Sequence, residues 1–352
     1  MLTLRETLRY RGAIGQWSWV LHRVSGLGVV LFFILHIIDT SWSVFYPGLY
    51  EEAIASYQSP LFTIGEFFLV AAVVYHAYNG LRISLFDARP HMWKHQQRAA
   101  WIVLGLTLVT LIPVFVLMFA HVLDHYSHDP FVLGLDQVIA AQIPFAIGIA
   151  VAVVAAVLFS GLVGLFVGSS DKPAGGKASG SRVERFWWSY MRLSGVLILP
   201  LVFGHLAFLH ILQGVFDLTA VGGTVVGVPT NPDLGLLQDG INQTGTAVEF
   251  VGERWNFLLA GVALWRLYDF GLLALAAIHG FNGLRYVLTD YTMGNPLLRR
   301  ASVYVCIVGA VILLVLGAGA LIGTITPSAT EIALESACEF GKTFPADVHV
   351  CG

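Results

Sequence analysis

Residues 278–291 read IHGFNGLRYVLTDY, and residues 75–87 read YHAYNGLRISLFD. Each closes an apolar run long enough to cross a bilayer, yet each carries a histidine, an arginine and an aspartate. The spacing is the same in both, with arginine six residues after the histidine and aspartate eleven after it. Agreement continues upstream. RVSG at 23–26 is followed by His36, thirteen residues after Arg23, and RLSG at 192–195 by His205, thirteen residues after Arg192. The two histidines of a copy stand 40 residues apart in the first half and 74 in the second, and the longer connection between 210 and 257 absorbs the difference.

The 352-residue chain is 57% hydrophobic and only 12% charged, with a mean hydropathy of +0.75. Soluble domains average about 25% charged residues, so this composition predicts an all-α polytopic transmembrane bundle. A spanning helix takes roughly 20 apolar residues, and seven segments qualify: 17–42, 61–86, 99–122, 138–168, 188–212, 257–288 and 302–325. Sixteen of the 19 Lys and Arg residues precede or open the first segment or fall around the second, fourth and sixth connections. Only Arg254, Arg266 and Lys342 fall on the other side. The positive-inside rule then puts the N-terminus in the cytoplasm and the C-terminus outside. No cleavable signal precedes the first segment. The three cysteines form no CxxC pair, which argues against a zinc or iron–sulfur site on this chain. Cys306 reads as a packing residue; Cys338 and Cys351 have the option of pairing if the tail faces an oxidising compartment.

Each half has three segments, so a half starts inside and ends outside. Two such units in parallel need one extra crossing between them, which segment 138–168 supplies. The expected organisation is a first repeat over 1–130, a linking helix and Gly/Ser/Lys-rich linker over 131–185, a second repeat over 186–325 and an outer tail over 326–352. A pseudo-two-fold axis along the membrane normal sets equivalent residues at one depth. His36 is then level with His205, and His76 with His279.

A lone intramembrane histidine is often no more than a hydrogen-bonded one. Four at matched depths on facing helices instead suggest axial imidazole pairs, which fill both open positions of a haem iron and make it an electron carrier. The expected cofactors are two haem b groups, an inner one on His76 and His279 and an outer one on His36 and His205, with His210 the competitor for His205. Arg23, Arg82, Arg192 and Arg285 are candidates for haem propionates, or for lipid headgroups. Glu66 and Asp269 occupy matching positions towards the outer side. They are candidates for proton handling there, although Asp269 has Arg266 as a simple partner. His121, His125 and His128 read as a solvated outer cluster, and His91 and His95 as a cytoplasmic loop open to a partner.

LHRVSG, HAYNGLR with its following aspartate, and HGFNGLRYVLTDY resemble the membrane anchor subunits of succinate:quinone oxidoreductase, respiratory complex II. The first half resembles the larger anchor chain and the second half the smaller, joined in one polypeptide. The resemblance implies a quinone site at the cytoplasmic end on Arg23, Ser25, Asp290 and Tyr291. It implies partner flavoprotein and iron–sulfur subunits that carry succinate oxidation themselves, a bacterial cytoplasmic membrane location, and the option of a higher oligomer; nucleic acid is not expected. The chain departs from the pattern at Trp19, where ubiquinone-reducing relatives carry a serine, and in having seven segments where single-chain dihaem anchors have five. Charge transfer between the haems across the bilayer suits a low-potential menaquinone. The alternatives are a dihaem anchor for another quinone-linked dehydrogenase, against which LTDY argues, and a transporter using its histidines as a proton relay.

Overall fold

The computed structural model describes residues 12–57, 60–128, 134–167, 182–209 and 246–341. His210, Cys351 and the linker at 168–181 lie outside the described residues. The spanning helices are α1 (Ile14–Phe45), α3 (Pro60–Ala88), α4 (Gln96–His128), α5 (Leu135–Val167), α6 (Arg182–Ala207), α8 (Leu264–Thr292) and α9 (Pro296–Ile322). All seven are long and apolar enough to cross a membrane. Three shorter helices join them: α2 (Pro47–Tyr57), α7 (Ala247–Asn256) and α10 (Pro327–Gly341).

Helices α1, α3, α6 and α8 each pack on the next, and α8 packs back on α1, so they close a four-helix ring. These four carry every histidine that the motifs single out. Around the ring, α4 lies on α3 and α1, α9 lies on α8 and α1, and α5 lies on α9. The outermost helices turn long apolar faces outward, with Leu158, Leu165 and Phe166 of α5 all exposed. In water such faces would be a liability, whereas lipid solvates them.

The sequence expectation differs from this arrangement in particular places. The sixth crossing begins at Leu264, not 257. Ala260 and Gly261 both have positive φ (51° and 80°), and Leu259 and Val262 exchange backbone hydrogen bonds across them, forming a tight turn that no helix accommodates. His121, His125 and His128 belong to the last turns of α4 and not to a loop, while His91 and His95 sit in a 3-10 turn (Pro90–His95).

The three short helices gather at the end opposite the arginine-rich one, where α10 packs on α2 and α7 packs on both. Tyr50, Val248, Trp255, Leu273, Leu321, Ile325 and Ala333 form their common core. Helix α10, the described part of the tail, packs over this end. Glu51 of α2 is 1% exposed and accepts bonds from the Ala247 and Val248 amides at 2.9–3.3 Å. Those donors are the orphan N–H groups of the first turn of α7.

Burial pushes the Glu51 carboxyl up to about 7 from 4.5, against the pull of those two amides. Between these pH values the folded chain keeps a proton that the unfolded chain has released. Stability from this site therefore falls as pH rises through that window and levels off above it. Melting the purified protein at about pH 5 and about pH 8 should show a loss on the order of 3 kcal/mol in the wild type. Glu51→Gln should lack that loss; equal losses in both proteins would place the pH dependence elsewhere.

Candidate cofactor site

The RVSG and RLSG segments fold onto the HAYNGLR and HGFNGLR helices in the same manner. On α1 the Ser25 hydroxyl donates to the His22 carbonyl at 3.1 Å and lies 3.4 Å from His76 Nδ1. His76 Nδ1 is also 3.1 Å from the His22 carbonyl, which only accepts, so Nδ1 carries the ring proton. On α6 the Ser194 hydroxyl gives its proton to the Tyr190 carbonyl at 2.7 Å and so accepts from His279 Nδ1 at 2.9 Å. Both rings are therefore held with Nε2 bearing the free lone pair, the tautomer a metal ligand needs.

The next residue of each motif explains its glycine. A Cβ on Gly26 would lie 2.8 Å from His76 Cε1, and one on Gly195 3.3 Å from His279 Cε1. Any larger side chain would push the ring out of place. Ser25 is thus bonded to the His22 carbonyl and stands beside His76.

Beyond each histidine, further donors are left over. Asn79 and Asn282 stand three residues on, Arg82 and Arg285 six residues on. Asn79 accepts from Ser18 at 2.8 Å and Asn282 accepts from Arg285 Nε at 3.0 Å, so both amide nitrogens are donors. Among the described residues, Asn79 Nδ2, Asn282 Nδ2, Arg82 Nε and Arg285 Nη2 are buried with no hydrogen-bond partner. Buried donors are costly when unpaired. Four of them at matching places around two ligand-ready imidazoles fit an acceptor-rich group such as a haem with its propionates.

At the far end, the His36 and His205 rings stand 6.2 Å apart, centre to centre, at 81°. Two metal–imidazole bonds of about 2 Å, each with its ring centre about 1 Å behind the nitrogen, put opposed ring centres about 6 Å apart. The pair therefore also fits an axial couple. No group of three or more His, Cys, Asp or Glu among the described residues could hold a bare metal ion; a porphyrin iron needs only two protein ligands.

His22 belongs to this site, and the sequence reading passed it over. Its ring stacks on His76 at 4.0 Å and 6°, and its Cε1 lies 3.5 Å from where a Gly80 Cβ would be. In the second half Met191 takes the equivalent place, its Cε 3.6 Å from a Cβ on Gly283. A search for residues shared by the two halves discards His22 for that reason, although it adjoins Arg23.

The charged groups cross between the halves. Arg23 of α1 donates to Asp290 of α8 and lies over the Trp19 ring at 4.0 Å. Arg192 of α6 donates to Asp87 of α3 through Nε (2.9 Å) and Nη2 (2.6 Å), and lies over the Trp188 ring at 4.0 Å. The surroundings differ. The Asp290 side chain is 48% exposed, that of Asp87 16%. Tyr291, itself exposed, follows Asp290, while Ala88 follows Asp87. Arg82 donates to Ser18 and to the Gln96 carbonyl, and Arg285 also reaches Glu184 at 3.4 Å.

Asp269 does not pair with Arg266. It accepts from Arg254 and from Trp255 Nε1 (3.0 Å), while Arg266 caps the carbonyls of Trp255, Leu321 and Gly323 at 2.6–2.7 Å. Glu66 is an electrostatic neighbour of Tyr57, whose hydroxyl donates to the buried Asp39.

Comparison with known proteins bears on this geometry. Residues 4–114 match the family described as succinate dehydrogenase/fumarate reductase transmembrane subunit. Over 117 residues the chain is 35% identical to the succinate dehydrogenase 2 membrane subunit SdhC of Mycobacterium tuberculosis, covering 33% of this chain and 86% of that one. It is 26% identical over 104 residues to the succinate dehydrogenase hydrophobic membrane anchor subunit of Halobacterium salinarum, covering 29% of this chain and 80% of that one. No solved structure shows a significant match.

Proposed function

Because the chain belongs to the family of succinate dehydrogenase and fumarate reductase transmembrane subunits, we propose that it is a dihaem b anchor of a succinate:quinone oxidoreductase. It joins the larger and smaller anchor chains in one polypeptide. Its arginine-rich end faces the cytoplasm of a bacterial cell, where it holds the iron–sulfur and flavoprotein subunits that oxidise succinate. Family membership favours this reading over the transporter alternative. What carries the dihaem reading is the matched locking of His76 and His279 through Nδ1, with the far pair His36 and His205 spaced for the same use.

Two such bis-imidazole haems, when bound, supply one-electron carriers with no open coordination position. The chain's own residues do the rest. His76 and His279 would hold the inner group and His36 and His205 the outer. Asn79, Asn282, Arg82 and Arg285 offer the donors that match inner propionates; Arg23 and Arg192 remain further candidates near them.

Quinone reduction takes two electrons and two protons. The Tyr291 hydroxyl and the Arg23 guanidinium can donate hydrogen bonds to the quinone oxygens as negative charge develops on them. Asp290 holds Arg23 in place and is exposed enough to exchange protons with water. Arg23 of α1 pairs with Asp290 of α8, and Tyr291 is the next residue, at the arginine-rich end proposed for the soluble partners, so electrons would enter close to the inner pair. A haem held by His36 and His205 would extend the path across most of the bilayer. An electron moved through the field there exchanges about 2.3 kcal/mol per 100 mV, which suits a low-potential menaquinone.

Pyridine haemochrome quantification of the purified complex is the test. About two haem b per chain is the expected value, with b-type bands in the reduced-minus-oxidised spectrum. One haem per chain would remove the outer group, and none would remove the proposal.

A further inference from the structure

The far histidine pair has a support that the inner pair lacks. His205 Nδ1 lies 3.4 Å from Asp269 Oδ1, and both side chains are largely buried, 16% and 11% exposed. Oδ1 is buried with no hydrogen-bond partner among the described residues, and His205 Nδ1 stands within ion-pair reach of it. The other oxygen, Oδ2, is held from α7 by the Arg254 guanidinium and by Trp255 Nε1. Arg254 and Trp255 are themselves buried, 8% and 3% exposed. Helix α7 is fixed in turn by Glu51 at its first turn and by Arg266, which bonds the Trp255 carbonyl. A short helix outside the spanning bundle thus aims a carboxylate at one ring nitrogen of one histidine.

Resting on the dihaem reading, we propose that Asp269 is the positioning residue of the outer axial ligand, with Arg254 and Trp255 of α7 as its clamp. A carboxylate facing Nδ1 selects the tautomer that leaves Nε2 free, fixes the ring plane and makes the imidazole a more basic ligand. A more basic ligand favours ferric over ferrous iron, so Asp269 lowers the potential of the outer haem. The inner ligands have only neutral acceptors at Nδ1, a carbonyl and a serine for His76 and a serine for His279. A change at Asp269 therefore acts on one haem alone. The α7 clamp makes that haem responsive to the far-side cap, which no motif in the sequence indicates.

The experiment is a redox titration of the purified complex, followed in the b-band, for the wild type and Asp269→Asn, with the haem count of each. Asparagine keeps the shape and removes the charge. The expected result is two haems in both proteins, with the midpoint potential of one b component raised by about 59 mV, a tenfold fall in its oxidised-to-reduced ratio at a given potential. The second component stays in place, and the low-spin ferric signal of only one haem moves in the electron paramagnetic resonance spectrum. Two haems with both potentials unchanged would overturn the positioning role while leaving the dihaem reading intact. A single haem in the wild type would take down the outer-haem reading and this role with it. Should Asp269→Asn alone hold one haem, Asp269→Glu, which keeps the charge, must hold two; a Glu variant that also holds one overturns the role.

Discussion

Replacing His279 with alanine is expected to halve the haem content, from about two to about one per chain, and to remove quinone reduction by succinate. His279 is held by Ser194 in the tautomer a ligand needs, with Gly195 pressed against its ring edge. Alanine there deletes one of two axial bonds and leaves His76 alone to retain the group. The helix itself should survive. Its face towards α9 is built from Leu273, Phe281 and their neighbours, and Arg254 and Trp255 hold its far end through Asp269. The remaining haem should keep the outer component's potential, because His36 and His205 are untouched. His205→Ala should give the converse, losing the outer component and keeping the inner. A His279→Ala protein that still binds two low-spin haems, or one that loses only the component sensitive to Asp269, would contradict the assignment of the pairs to their ends. Ser194→Ala should be milder. It removes one acceptor from Nδ1 and leaves Nε2 in place, so the haem count should hold while the inner potential moves.

The seven crossings were legible because each is a long, mostly apolar run, and the four histidines stood out because they recur at matched spacing against an apolar background. Physical content that spacing does not encode was less visible. Arg23 pairs with Asp290 and Arg192 with Asp87, 267 and 105 residues away. The linear pattern is equally compatible with pairing inside each half. Helices α2 and α7 are short, 11 and 10 residues, and too short to be stable alone. They exist by packing on one another and on α10, a tertiary cause that no local periodicity reveals. Arg254 counted in the sequence only as one of three far-side charges, yet it is the clamp on Asp269. His22 was hidden for the opposite reason, since Met191 fills its place in the other half and the comparison of halves filters it out.

Those two crossed pairs allow the sharpest discrimination in the molecule, between Asp290 and Asp87. Both accept from an arginine that lies over a tryptophan four residues earlier, and both stand eleven residues after an inner histidine. Chemistry separates them. Asp290 is half exposed and next to Tyr291, whereas Asp87 is mostly buried, takes two bonds from Arg192 and has an alanine beside it. A quinone needs donors to its oxygens and a route for protons; beside Asp290 stands the exposed phenol of Tyr291, and beside Asp87 an alanine. Tyr291→Phe and Asp290→Asn are each expected to lower quinone turnover by about 10²-fold, with haem content unchanged and succinate oxidation with a soluble acceptor intact. Asp87→Asn should do the reverse. Removing one partner of a largely buried ion pair costs on the order of 3 kcal/mol, so the melting temperature should drop while turnover per folded complex stays near wild type. Steady-state assays with a short-chain quinone, normalised to haem, alongside thermal unfolding, read both effects. If Asp87→Asn cut turnover with no loss of stability while Asp290→Asn left it near wild type, the quinone would belong to the other side of the pseudo-symmetric pair. Equal loss from both would mean that neither carboxylate meets the substrate and that each only ties one half of the bundle to the other.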